Sequence, residues 1–336
     1  MSVNKFGVDF DSAYTNIYKV GSGLVLSEPT VAAASEKDKI VSVKAIGLEA
    51  SKLIGKTGKD TKIVFPVFEG EVVNVRIATA ILNEFLSKVG YKSRLGGGTL
   101  LFSVPCGVTA EMLERYKTVA KNCGISKVLF AESPMLSALG QRIPITESSP
   151  CFVIDMAGGT TNIAALSLDG VIAGVSVNFG SNKISADIID FLADRYEIQI
   201  GLQTAEKLKK EIGSLDPEDE LSTVINGRDV KTGAPKAICV KANEILEPIR
   251  VYYDKISEIA LAVLKKLPPE VSAEIISSGI YVSGVASSVY GLGDFMEKSM
   301  NVKVNVAENG LMSVALGSGI VVANNDLIKK VCLDYK

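Results

Sequence analysis

Hydrophobic and polar positions along this chain switch between two periods, and they do so twice. Between Lys5 and Ala45 apolar residues alternate or form short runs. This predicts strands at Lys5–Phe10, Asn16–Lys19, Gly23–Leu26 and Ile40–Ala45, split by Gly21-Ser22-Gly23 and the charged turn Glu36-Lys37-Asp38. The spacing then becomes three and four, with Ile77, Ala80, Ile81, Phe85 and Val89 predicting a helix over Val75–Val89. A strand over Thr99–Ser103 follows Gly96-Gly97-Gly98. A helix opens behind Thr109 and runs to Lys121, then come strand Lys127–Ala131 and helix Pro134–Gln141. Ile143–Pro150 reads as a linker.

The plan then repeats. A hairpin over Cys151–Val177 precedes a helix over Lys183–Tyr196, a charged helix over Thr204–Ile212 and a polar insert reaching Val230. A long helix from Ala242 to about Lys266 stops at Pro268-Pro269. Strand Gly279–Val282 leads through Ser283-Gly284-Val285-Ala286 into helix Ser287–Met300, and a last helix lies near Leu311–Val322. Strands alternating with helices in two similar halves predict duplicated α/β lobes, and 336 residues are enough for two.

Two segments match each other in register: Val8-Asp9-Phe10-Asp11-Ser12-Ala13-Tyr14-Thr15-Asn16-Ile17 and Ile154-Asp155-Met156-Ala157-Gly158-Gly159-Thr160-Thr161-Asn162-Ile163. Each runs from an apolar strand ending in Asp, through a turn of mostly small residues, into Thr-Asn-Ile. An Asp beside a tight turn of backbone N–H groups suits a phosphate and its Mg²⁺. Two such hairpins suggest two related lobes closing on one nucleotide.

Composition narrows the chemistry. A net charge of −2 supplies no footprint for nucleic acid. No apolar run approaches the roughly 18–20 residues that span a bilayer, and Met1–Lys5 enters a strand at once, which predicts no signal peptide. The five cysteines are scattered without a CxxC pair and read as reduced, buried thiols. Histidine is absent, which excludes Ser-His-Asp and Cys-His catalysis and any His-ligated metal. Carboxylates, hydroxyls, backbone dipoles and Mg²⁺ remain.

Spacers as well as motifs carry a resemblance to the bacterial actin homologue MreB (the MreB/Mbl family of the actin superfamily). Among them are Leu26-Ser27-Glu28-Pro29-Thr30-Val31, Gly47-Leu48-Glu49-Ala50, Val104-Pro105-Cys106-Gly107-Val108-Thr109, Lys231-Thr232-Gly233-Ala234-Pro235 and Val314-Ala315-Leu316-Gly317-Ser318-Gly319. The resemblance implies an actin-like (ribonuclease H-like) α/β fold of two lobes and four subdomains around an ATP cleft. It also implies homopolymeric double protofilaments at the inner face of the cell membrane, in the cytoplasm, with a role in cell shape or shape-driven motility. Lobe I would span residues 1–146 with a small insert at about 31–66. Lobe II would span 147–336 with an insert at about 185–244, and residues from about 315 to 336 would pack back on lobe I.

Residue by residue, Asp9 and Asp155 match the acidic phosphate-loop positions that organise Mg²⁺ through water. Asp11, Ser12, Ala13, Tyr14, Ala157, Gly158, Gly159, Thr160 and Thr161 fall on the phosphate loops, with Thr160 near the attacking water. Glu206 and Lys209 match a helix facing adenosine and ribose, and Gly284, Val285 and Ala286 the adenine loop; ATP or ADP would be the ligand. The departures point toward a divergent paralogue that co-assembles with or modulates related MreB chains. Asp11 replaces a family glycine and brings a second carboxylate near phosphate, Ala157 replaces the first of three glycines, and Val285 narrows the adenine loop. Ser133 replaces the Glu that positions the attacking water, a loss worth about 10²–10⁴ in rate; Glu132, beside it, is a candidate substitute. Slow ATP hydrolysis is therefore expected. Tyr91–Leu95 lies where the family inserts into membrane, with Tyr91 and Leu95 as the apolar contacts and Lys92 and Arg94 for anionic lipid. A sugar or acetate kinase, or a chaperone-type ATPase, of the same superfold is the alternative; no substrate-binding domain follows Lys336.

Overall fold

The computed structural model describes residues 4–37, 40–92 and 97–335. The first half runs through β1 (Lys5–Phe10), β2 (Tyr14–Lys19), β3 (Gly23–Pro29), β4 (Ala32–Lys37), β5 (Ile40–Ile46), α1 (Leu48–Ser51), β6 (Lys62–Val64), β7 (Val67–Phe68), β8 (Glu71–Val72), α2 (Val75–Lys88), β9 (Thr99–Val104), α3 (Ala110–Asn122), β10 (Lys127–Glu132) and α4 (Ser133–Gly140). The second half contains β11 (Cys151–Met156), β12 (Thr161–Ser167), β13 (Gly170–Val177), α5 (Ser181–Tyr196), β14 (Ile198–Gln199), α6 (Leu202–Ile212), β15 (Ser222–Asp229), β16 (Pro235–Lys241), α7 (Leu246–Leu264), α8 (Pro269–Ser278), β17 (Ile280–Ser283), α9 (Leu292–Met300), β18 (Val304–Val306), α10 (Ser313–Ala323) and α11 (Asn325–Val331).

Two five-stranded sheets carry the duplication. Their orders, β3-β2-β1-β9-β10 and β13-β12-β11-β17-β18, are the same path traced twice: an antiparallel meander whose first strand takes two parallel neighbours on its other side. The strands next to each hairpin arrive from helical crossovers, as parallel pairing demands. Thr109 caps α3, its hydroxyl accepting from Met112 N at 3.3 Å, so the helix opens at Ala110, directly behind it. The stretch from about 213 to 230, read as a polar insert, ends in strand β15, which with β14 and β16 makes a three-stranded antiparallel sheet. Its strands bury single side chains such as Ile225 and Val240, so the polar alternation belongs to a half-exposed sheet.

Each five-stranded sheet has its own apolar core, and a third cluster joins the halves. That third core interleaves Leu101, Leu129, Met135 and Leu136 with Val153, Ala164 and Leu166, closed by Val314 and Val321. Glycine makes the closest approach possible there. A Cβ on Gly317 would lie 1.8 Å from Leu136 O, and one on Gly140 would lie 1.9 Å from Ser313 O, so α4 and α10 touch backbone to backbone.

Candidate functional site

The paired hairpins end against each other. Asp9 stands opposite Asn16 in the β1–β2 ladder, and Asp155 stands opposite Asn162 in the β11–β12 ladder. Each Asp also accepts from a serine on the neighbouring parallel strand. Ser103 Oγ donates to Asp9 at 2.7 Å, and Ser283 Oγ donates to Asp155 at 3.3 Å. An Asp–Asn–Ser set thus sits at the carboxyl end of each sheet, where open α/β sheets place their ligands. Asn16, Asn162 and Ser103 were not anticipated as site residues; the repeated Thr-Asn-Ile was the available signal.

Burial in a site of like charges disfavours ionisation of both aspartates. Asp9 is pushed up to about 8, first by desolvation and then by the Asp11 and Asp155 carboxylates, against the pull of Ser103 and Asn16. Asp155 is pushed up only to about 6. Desolvation raises it, Ser133 and Ser283 draw it down, and Asp11 adds a smaller push.

Asp11 adopts neither positive φ nor an outward pose. Its Oδ2 accepts from Ala13 N at 3.3 Å and, across the cleft, from Gly158 N at 2.7 Å. Nearby, Asn182 Nδ2 donates to Ser12 Oγ at 3.4 Å and Cys106 N donates to Asn162 Oδ1 at 3.1 Å. Gly158 and Gly159 permit this closeness: a Cβ on either would lie 2.4 Å from Ala13 Cβ or Ser12 Oγ. Ala157 keeps a negative φ, so its replacement of glycine carries no backbone strain.

Two small chambers flank the three carboxylates, each with room for about one or two waters. One, of about 30 Å³, is lined by Ser103, Tyr116, Ser133, Thr160 and Asn162. The other, of about 20 Å³, is lined by Tyr14, Ala157, Gly284, Val285 and Leu311. Ser133 Oγ is buried without a hydrogen bond of ordinary geometry, although it lies close enough to Asp155 to help hold its pKa down. Glu132 does not reach the chamber. Its Oε1 accepts from Gly107 N at 3.2 Å: Glu132 ends β10 one residue before Ser133, and its side chain leaves on another face.

Outside the carboxylates lies a larger cleft of about 460 Å³, lined by Ser12, Ala13, Tyr14, Glu206 and Val285 together with apolar side chains such as Val31 and Leu202. Three other expected contacts point elsewhere. Thr161, first in β12, turns to the opposite face from Thr160 and Asn162; its hydroxyl donates to Phe179 O at 3.0 Å and lies 2.7 Å from the Tyr252 hydroxyl. Ala286 is in the core, its carbonyl accepting from the Tyr253 hydroxyl. Lys209 Nζ is engaged by Ser181, Ser185 and Glu206 and does not line the cleft, and burial lowers its pKa. Gly284, assigned to the adenine loop, lines the smaller chamber and not the outer cleft; with φ of 93°, a Cβ there would lie 2.2 Å from Met156 O.

Tyr91, expected to contact lipid, is instead buried. It meets Phe6 edge-on, and its hydroxyl donates to Gly124 O at 2.6 Å. Lys92 is exposed, while Arg94 and Leu95 lie outside the described residues.

Among the described residues no three metal-ligating side chains converge, so a protein-built metal cage is not present. The donor set fits Mg²⁺ held in another manner, through water and phosphate. Asp9 and Asp155 supply two carboxylates whose charge lacks a cationic partner, and Asn16 Oδ1 is buried with no hydrogen bond.

A duplicated sheet with opposed hairpins defines an actin-like protein. The MamK double helical filament has the same fold, at TM-score 0.79 and 16% identity over 96% of this chain and 99% of that one. The MreB/Mbl protein family model matches residues 3–330, and the chain belongs to that family. It is 31% identical to the cell shape-determining protein Mbl of Bacillus cereus, covering 99% of this chain and 100% of the relative. It is also 31% identical to the cell shape-determining protein MreB of Escherichia coli K12, covering 95% and 93%. The structure of MreB5 of Spiroplasma citri bound to AMPPNP superposes at TM-score 0.91, with 29% identity and 98% of each chain covered. Among the described residues no single helix is long and apolar enough to cross a membrane.

Proposed function

We propose that this chain is a nucleotide-binding cytoskeletal protein that polymerises into double protofilaments, helps set cell shape or shape-driven motility, and hydrolyses ATP slowly. The observation that carries the reading is the pair of hairpins facing each other with Asp9 and Asp155 at their ends, beside a chamber in which a hydroxyl, Ser133, stands at the position the resemblance gives to the water-positioning Glu. The AMPPNP- and ADP-bound MreB5 structures and the MamK filament support nucleotide binding and self-association.

In this reading residues 1–146 and 147–336 act as the two lobes. Ser12, Ala13, Gly158 and Gly159 donate to phosphates. Asp9, Asp155 and Asn16 would hold the waters of Mg²⁺, which when bound would supply neutralisation of phosphate charge. The nucleoside lies in the outer cleft against Tyr14, Glu206 and Val285. Thr160 and Ser133 orient a water by hydrogen bonding, and neither accepts its proton at neutral pH, which is why turnover is slow. Subunits add head to tail, so assembly is open-ended. The filament works in the cytoplasm at the inner membrane face. With Tyr91 in the core, attachment falls to weak contacts repeated along the polymer or to partner chains, including related MreB paralogues.

Phosphate release and sedimentation, measured together on the purified protein with ATP and Mg²⁺, test the proposal. Pelleting with phosphate release far below that of a family member carrying the Glu is expected. Failure to pellet under any nucleotide condition overturns the cytoskeletal reading, and phosphate release at that member's rate overturns the slow-turnover reading.

A further inference from the structure

The family resemblance treats Asp11 as an added charge in a phosphate loop, but its contacts give it a more specific part. One carboxylate oxygen accepts backbone N–H groups from both hairpins, Ala13 on its own side and Gly158 on the other. A two-loop clamp needs one anionic oxygen to do this, and the 2.7 Å contact has the length of a charge-assisted bond. Asp11 also lines both small chambers, so it stands between the water chamber at Ser133 and the turn at Gly284. It does not line the 460 Å³ outer cleft, where Ser12, Ala13 and Tyr14 from the same loop do. A nucleoside in that outer cleft leads its phosphate chain inward, and Asp11 lies at the inner end.

We propose that Asp11 is a specificity-determining residue, a tethered stand-in for the terminal phosphate that makes the site favour nucleoside diphosphates over triphosphates. This rests on the nucleotide-cleft reading above. A diphosphate stops short of the Asp11–Gly158 bridge and leaves it made. A triphosphate must take the Gly158 amide from Asp11 and then sit beside the displaced carboxylate, with Asp9 and Asp155 close by. The chambers of about 20 and 30 Å³ beside Asp11 have room for a water or two as they stand, so a third phosphate must displace the carboxylate to enter. Like charges about 4 Å apart cost roughly 1–4 kcal/mol between aqueous and protein-surface dielectrics, which corresponds to about fivefold to a thousandfold in affinity. The bridge also joins the lobes with the chain's own carboxylate, so the clamped arrangement does not depend on a third phosphate.

Calorimetric titration of the native chain, Asp11→Gly and Asp11→Asn with ADP, AMPPNP and adenosine, each with Mg²⁺, tests this. The native chain is expected to bind ADP at least fivefold tighter than AMPPNP. Asp11→Gly should remove or reverse that ratio, Asp11→Asn should reduce it, and adenosine should bind all three alike. Asp11→Asn is nearly isosteric and keeps an acceptor, so it carries the test if the glycine variant melts without cooperativity. Equal affinity of the native chain for ADP and AMPPNP, or an ADP/AMPPNP ratio unchanged by both substitutions, overturns the inference and leaves the nucleotide cleft standing. Absence of binding for all three ligands in the native chain and both variants overturns the cleft reading together with the inference.

Discussion

The two hairpins are copies in topology and opposites in chemistry. Both present an Asp opposite an Asn with a serine on the next parallel strand, but the second keeps a glycine cradle and the first carries a carboxylate in its turn. Gly158 in the intact loop donates to Asp11 in the altered one. The altered hairpin also bears more of the electrostatic load, since Asp9 is raised to about 8 and Asp155 to about 6. Duplication therefore preserved the frame that orients the two acids and left the turns free to diverge.

The largest test of this asymmetry is in the water chamber. Ser133→Glu, which returns the carboxylate the family carries, should raise phosphate release at saturating ATP by about 10²–10⁴-fold. An unchanged rate would mean that the altered first loop, and not Ser133, limits turnover.

A pH series separates the two acids. The ordinary carboxyl value of 3.8 describes the unfolded chain, and Asp9 titrates near 8 when folded, so between these values the folded chain binds more protons. Its contribution to stability is therefore full below about pH 4 and is lost as pH rises through 8. Asp9→Asn should raise the melting temperature by several degrees at pH 8.5 in EDTA without nucleotide, with the gain gone by about pH 4. Asp155→Asn should give a smaller gain that is complete by about pH 6. Equal gains over the same pH range would contradict the asymmetry.

Gly158→Ala probes the intact cradle. The new methyl would lie 2.4 Å from Ala13 Cβ and 2.5 Å from Asp11 Oδ2, so the lobes must part at that point. A loss of nucleotide affinity of roughly tenfold is expected, in line with the about 1–3 kcal/mol that overpacking costs, read by calorimetry. The smallest effect compares the equivalent threonines. Thr161→Val strands the Tyr252 hydroxyl and the Phe179 carbonyl, whereas Thr15→Val strands only Thr30, whose hydroxyl lies 2.8 Å from Thr15 Oγ1. Urea denaturation should show losses of about 1–3 kcal/mol, larger for Thr161.

The duplicated strands were legible because strand period, turn residues and the Asp-to-Asn spacing are local properties. The helices mostly keep the bounds their apolar spacing predicts, as Val75–Lys88 does. What escaped depends on distance in space. Tyr91 reads as a loop aromatic among glycines, and only Phe6 and Gly124, far along the chain, make it a core residue. Asp11 reads as a misplaced charge until Gly158, 147 positions later, supplies its partner. Thr161 is a different kind of miss: strand alternation already places it opposite Thr160 and Asn162, and the loop alignment overrode that local fact.

The glycine contact between α4 and α10 fixes how the two helices seat on the first sheet. With their backbones touching at Gly140 and Gly317, and α10 lying also against β1, β2 and β9, a shift of α10 along α4 presses on the strand that carries Asp9. At the outer lip of the cleft the contact of Gln203 Nε2 with Ser51 O joins the two halves. A methyl added at Gly317 would lie 1.8 Å from Leu136 O, so α10 would have to lift from α4, and β1 would lose its seat though no ligand is touched.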